Sequence, residues 1–84
     1  MSALANPTRM RVLALLLDAG AGGMGSSEMA DAVKVPRNLM SSHLAILSKV
    51  GAIRSEKTGR RVVYTVVAHT IRALSEYLGD LVAD

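Results

Sequence analysis

The chain has no cysteine, no tryptophan and no phenylalanine among its 84 residues. Without cysteine there is no disulfide framework, no thiolate zinc ribbon and no thiol nucleophile. Two tyrosines are the whole aromatic content, so the core must be built from Leu, Val, Ile, Met and Ala. No apolar run approaches the roughly 20 residues needed to span a bilayer. The N-terminus lacks the basic segment and apolar stretch of a signal peptide, and the first helix begins so early that the opening reads as truncated. A cytosolic protein without a membrane partner is expected. Enzymatic machinery is missing too, since no nucleophile–base pair and no acidic pair stand at a plausible site. Gly20 to Gly25 is glycine-rich, but it has no strand before it and no Lys-Ser/Thr after it, so it is not a phosphate loop. On these grounds an enzyme is the least favoured reading, and no cofactor is expected.

What is present points elsewhere. Eighty-four residues make one thin domain, 1–84, because small chains bury a smaller share of their surface. Half the residues are apolar and mean hydropathy is +0.30, which suggests that some apolar surface goes into a subunit interface. The net charge of +3 hides an asymmetry. Lys34, Arg37, Lys49, Arg54, Lys57, Arg60 and Arg61 face only Glu56 between residues 34 and 61, a net of +6. The rest of the chain carries −3. Positive charge gathered in one continuous segment is a footprint for a polyanion.

Local signals order the elements. Asn6-Pro7 caps and opens a helix to about Ala19, and Val12 to Leu17 is apolar nearly all round, the mark of a buried spine. Gly20 to Gly25 breaks it with a flexible loop. Ser26 or Ser27 caps a short helix that turns Met29, Ala30 and Val33 inward, with Glu28 suited to its positive end. Lys34-Val35 turn, Pro36 opens the next helix, and Gly51 ends it. Ile53 to Lys57 and Arg60 to Val67 read as strands joined at Thr58-Gly59, with Val62, Tyr64 and Val66 inward. From about Thr70 a last helix sets Ile71, Leu74, Leu78, Leu81 and Val82 at helical spacing. The fold class expected is mainly α with a β-hairpin wing, a winged helix-turn-helix of order α-α-α-β-β-α.

Residues 35 to 53 are the most informative stretch. An apolar stripe of Leu39/Met40, Leu44, Leu47 and Val50 leaves Arg37, Asn38, Ser41, Ser42, His43 and Lys49 on the other face. Short polar hydrogen-bonders with a few cations suit base edges and phosphates in a major groove. Lys57, Arg60 and Arg61 then form a basic hairpin tip for phosphates or the minor groove. His43 has partial burial against the wing as its alternative. Arg9 and Arg11 read as structural or phosphate-flanking, and His69 as a surface residue at a helix start. A winged helix used as a protein-interaction module remains the second class of reading.

Three motifs resemble the ArsR/SmtB family of bacterial repressors. Leu4-Ala5-Asn6-Pro7-Thr8-Arg9-Met10-Arg11-Val12-Leu13 is similar to its opening. Ser41-Ser42-His43-Leu44-Ala45-Ile46-Leu47 resembles its recognition helix. Gly51-Ala52-Ile53 with Gly59-Arg60-Arg61-Val62-Val63-Tyr64 resembles its wing. The resemblance implies a homodimer on a palindromic double-stranded DNA operator, released by an inducer. Its first and last helices would form the interface, here Leu4, Ile71, Leu74, Leu78 and Leu81. The family's cysteine pair in the first helix of the motif falls on Gly25 and Ser27, which cannot bind a soft metal. Its last-helix metal pattern, anchored on His69, meets Val67, Asp80 and Ala83 and keeps one or two ligands of four. His69, Glu76 and Asp80 share a stripe that reads as a solvated face, so no metal site is expected. Some arsenite-responsive members carry a cysteine pair just past this helix, about where residue 84 falls, and the inducer stays open.

Overall fold

The computed structural model describes residues 2–82, with side chains from 4 to 73 and at 75 and 76. Helix α1 is a single turn, Ser2–Ala5, and α2 runs Pro7–Ala19. Asn6 stands between them, its side-chain oxygen accepting the Arg9 amide at 3.1 Å, as the Asn-Pro pair predicts. A 3-10 turn follows at Gly20–Gly22, then α3 at Ser26–Val33 and α4 at Arg37–Lys49. Strands β1 (Ile53–Thr58) and β2 (Arg61–Val66) precede α5 (Ala68–Val82). The expected order is present, preceded by the extra turn α1.

The core is assembled in threes. Val12, Leu13 and Leu16 come from α2, Met29, Ala30 and Val33 from α3, and Met40, Leu44 and Leu47 from α4. Leu4, Ala52 and Ile53 close it. Each fully buried Leu or Met stabilises the fold by about 1.5–3 kcal/mol. The reading of α2 as buried all round does not hold, because Ala14 and Leu17 face solvent. Its core contacts occupy one face only.

Two turns aim α4. Lys34 adopts the left-handed conformation (φ 58) at the end of α3, and the Val35 amide reaches back to the Ala30 carbonyl at 3.0 Å. With Val35 and extended Pro36 it makes the three-residue turn of a helix-turn-helix. At the other end Gly51 (φ 75) donates to the Ser48 carbonyl and Ala52 to the Leu47 carbonyl, at 3.0 and 2.9 Å. That pair of bonds is a Schellman motif, the role expected of Gly51.

The wing is a two-residue hairpin with Thr58 opposite Arg61. Its turn is Gly59-Arg60, one residue later than the expected Thr58-Gly59. Gly59 has φ 63 and Arg60 does not share the positive sign, the type II′ pattern that matches strand twist. Tyr64 and Val66 pack on the core, whereas Val62 is exposed because the tip projects past it. The preceding glycine-rich segment is not a free loop. Met24 and Tyr64 exchange backbone hydrogen bonds of 3.2 and 2.8 Å, adding a one-residue third strand beside β2. Neither Ser26 nor Ser27 caps α3. Gly25 is the cap residue, and the Glu28 carboxylate accepts its amide at 3.0 Å.

Helix α5 starts at Ala68, two residues before the expected Thr70, and is tied to the strand start. The Ala52 carbonyl accepts the Val67 amide at 3.0 Å and the Thr70 hydroxyl at 2.8 Å. Thr70 is 1% exposed, a buried polar residue that periodicity does not flag.

A Cβ at Gly23 (φ 66) would stand 2.5 Å from the Tyr64 carbonyl oxygen, whereas one at Gly59 meets nothing within 4 Å. Gly59→Ala is expected to cost about 1 kcal/mol, the left-handed penalty alone. Gly23→Ala should cost about 2–4 kcal/mol, since the backbone must also move. Urea unfolding of both variants checks this. Equal losses would mean that the bridge to Tyr64 does not hold in solution.

Candidate nucleic-acid interface

Helix α4 buries Met40, Leu44 and Leu47 on one narrow stripe. Arg37, Asn38, Ser41, Ser42, Ala45 and Lys49 are all exposed on what remains. Leu39 and Val50, expected on the apolar stripe, are 49% and 43% exposed. Leu39 is displaced by about 100° from Met40 around the helix, which turns it away from the core that buries Met40.

Electrostatics sets the character of the helix start. The first turn of α4 holds no acidic residue and carries Arg37 instead. A cation at the positive end of a helix is unfavourable on its own. Backbone amides and guanidinium together make that end attractive to an anion. The serines add a directional feature. Ser41 Oγ donates to the Arg37 carbonyl at 3.2 Å, and Ser42 Oγ to the Asn38 carbonyl at 3.4 Å. With its proton turned to the backbone, each hydroxyl presents acceptor lone pairs outward. Such acceptors match the exocyclic amino groups of adenine and cytosine.

His43 lies half-buried on the flank of α4. Arg9 Nη1 stands 3.4 Å from its Nδ1, so the partner is the start of α2 and not the wing. For Nδ1 to accept, the ring proton sits on Nε2. Arg11 is structural, its Nη2 donating to the Val33 carbonyl at 3.2 Å and capping the end of α3.

On the wing, Lys57 and Arg60 are exposed and have no carboxylate within salt-bridge distance among the described residues. Arg61 differs, because its Nη2 is paired with Glu28 Oε1. Glu28 therefore joins α3 to β2, a role beyond the helix-dipole placement its position suggested. Its spacing three residues after Gly25 is the legible half of that role. The half that depends on Arg61 is not local in sequence.

Of the residues expected at a subunit interface, Leu4 is 2% exposed within the single chain and has almost no surface left for a partner. It packs in the core instead. Ile71 is 51% exposed. The side chains of Leu74, Leu78 and Leu81 lie outside the described residues.

Comparison with known proteins agrees with this geometry. A helix-turn-helix domain family matches residues 4–56. The chain is 36% identical over 69 residues to the HTH-type transcriptional repressor SmtB of Mycobacterium tuberculosis, covering 82% of this chain and 49% of that protein. It is 35% identical over 82 residues to the HTH-type transcriptional regulator CmtR of the same organism, covering 96% and 67%. A solved homodimeric winged helix-turn-helix DNA-binding domain from Mycobacterium bovis is similar with a TM-score of 0.79 at 27% identity, covering 94% and 73%. The chain thus spans about half the length of the SmtB repressor. With these likenesses across the whole helix-turn-helix and the α-α-α-β-β-α order in place, the chain belongs to the ArsR/SmtB family of winged helix-turn-helix regulators.

Proposed function

We propose that residues 1–84 form one DNA-binding domain of a homodimeric transcriptional repressor that acts in the cytoplasm and is released from its operator by an inducer. The observation that carries this reading is the exposed face of α4, which presents Arg37, Asn38, Ser41, Ser42 and Lys49, together with the exposed wing cations Lys57 and Arg60. Arg37 and Asn38 occupy the turn that enters the major groove in helix-turn-helix complexes and have the reach for bidentate contacts, to guanine and adenine respectively. The two serines supply acceptors behind them. The wing cations supply affinity that does not depend on sequence. A two-fold axis through α5, where Ile71 offers an uncovered apolar side chain, sets two recognition helices about one DNA turn apart.

Four experiments test this reading. Asn38→Ala removes no charge, so it should cost about 1–3 kcal/mol on a selected operator and far less on random duplex. Unchanged base preference in both Asn38→Ala and Ser41→Ala would rule α4 out as the reader. Arg60→Ala should weaken operator and random DNA about equally and lower the salt slope by about one. Retention of the wild type on heparin with no mobility shift on any duplex would favour a protein-interaction module. Sedimentation should give a dimer mass, shifted toward monomer by Ile71→Glu together with a loss of operator affinity.

A further inference from the structure

Arg61 is the one wing cation bound to a carboxylate among the described residues. The arrangement is more than a chance surface pair. Glu28 Oε1 accepts the Gly25 amide at 3.0 Å and also holds Arg61. The carboxylate is therefore held at the first turn of α3 by a bond that does not involve Arg61. The Met24–Tyr64 backbone bridge brings that turn and β2 into register. A Cβ on Gly25 would come within 3.7 Å of two guanidinium nitrogens of Arg61, so the side chain lies across the cap residue. Both partners remain about half exposed, at 57% and 52%, and a phosphate can reach them.

We propose that Glu28 is an electrostatic gate on Arg61, a positioning residue that withholds one wing cation from the DNA backbone and so lowers affinity for non-operator duplex. This rests on the DNA-binding reading above. A phosphate that takes Arg61 must displace a carboxylate that the Gly25 amide holds close by. The remaining charge of Glu28 then faces the incoming phosphate and repels it. Exposed pairs are weak in isolation, and a weak pair suits a gate, since only a closely seated phosphate can open it. Lys57 and Arg60 stay available to any duplex.

The test compares wild type, E28Q, R61A and the double variant for binding to a random duplex of about 20 base pairs, across a salt series. Glutamine keeps an acceptor for the Gly25 amide and removes the charge. E28Q should bind about five- to tenfold more tightly near 0.1 M salt, with a salt slope steeper by about one, the signature of one added phosphate contact. R61A alone should differ little from wild type. In the R61A background the E28Q change should give neither the gain nor the steeper slope. An equal gain in both backgrounds would overturn the gate and leave only long-range charge repulsion. No gain in E28Q, with wild type still binding duplex, overturns the gate alone. Failure of wild type itself to bind duplex overturns the DNA-binding reading and the gate with it. Thermal melts that match wild type show that α3 remains capped, and E28D, whose shorter carboxylate cannot span both partners, should behave like E28Q only if reach to Arg61 is what matters.

Discussion

The narrowness of α4's buried stripe is the constraint on which the rest of this small domain depends. Three side chains, Met40, Leu44 and Leu47, hold a thirteen-residue helix to the core. With no phenylalanine or tryptophan available, that contact must be closed by Leu, Val and Met from α2 and α3. Unbranched methionines fill the irregular gaps that a ring would otherwise occupy. The reward of such an economical anchor is that most of the helix circumference stays free. Polar side chains on it are not needed for stability, and so they can be chosen for what they meet outside.

The wing solves a related problem by different means. Two strands with one tyrosine at their base cannot bury enough apolar area to stand alone. Backbone hydrogen bonds supply what the side chains lack. Met24 pairs with Tyr64 on one side, and the Ala52 carbonyl gathers Val67 and Thr70 at the base. Glycine at position 23 permits the close approach, since any side chain there would strike the Tyr64 backbone. The tip beyond these ties carries Lys57 and Arg60 out over solvent, with exposed Val62 beside them.

What could be read from the sequence follows from the range of the forces involved. Caps and breakers act within a few residues, and so Asn6-Pro7, the turn before Pro36 and Gly51 were legible. The polar face of α4 was legible too, because a helix displays its period directly. The sequence is ambiguous where geometry decides between near-equals. Leu39 and Met40 are both apolar, and the packing of α4 against its neighbouring elements determines which is buried. The serines at 26 and 27 are good caps by propensity, yet Glu28 reaching back to Gly25 set the helix start. The Arg9–His43, Arg61–Glu28 and Thr70–Ala52 contacts join residues 34, 33 and 18 positions apart. No local pattern encodes them.

The Ala52 carbonyl also has a mechanical meaning. Ala52 lies one residue beyond the glycine that ends α4 and one before the start of β1, and the α5 hydroxyl of Thr70 is fastened to it. Helix α4, the wing and α5 therefore share a single pivot about three residues wide. A rigid displacement of α5 must either break the Thr70 hydrogen bond or carry Ala52 along. In the second case the end of α4 and the root of the wing turn together, so these two elements move as one lever and keep their mutual spacing.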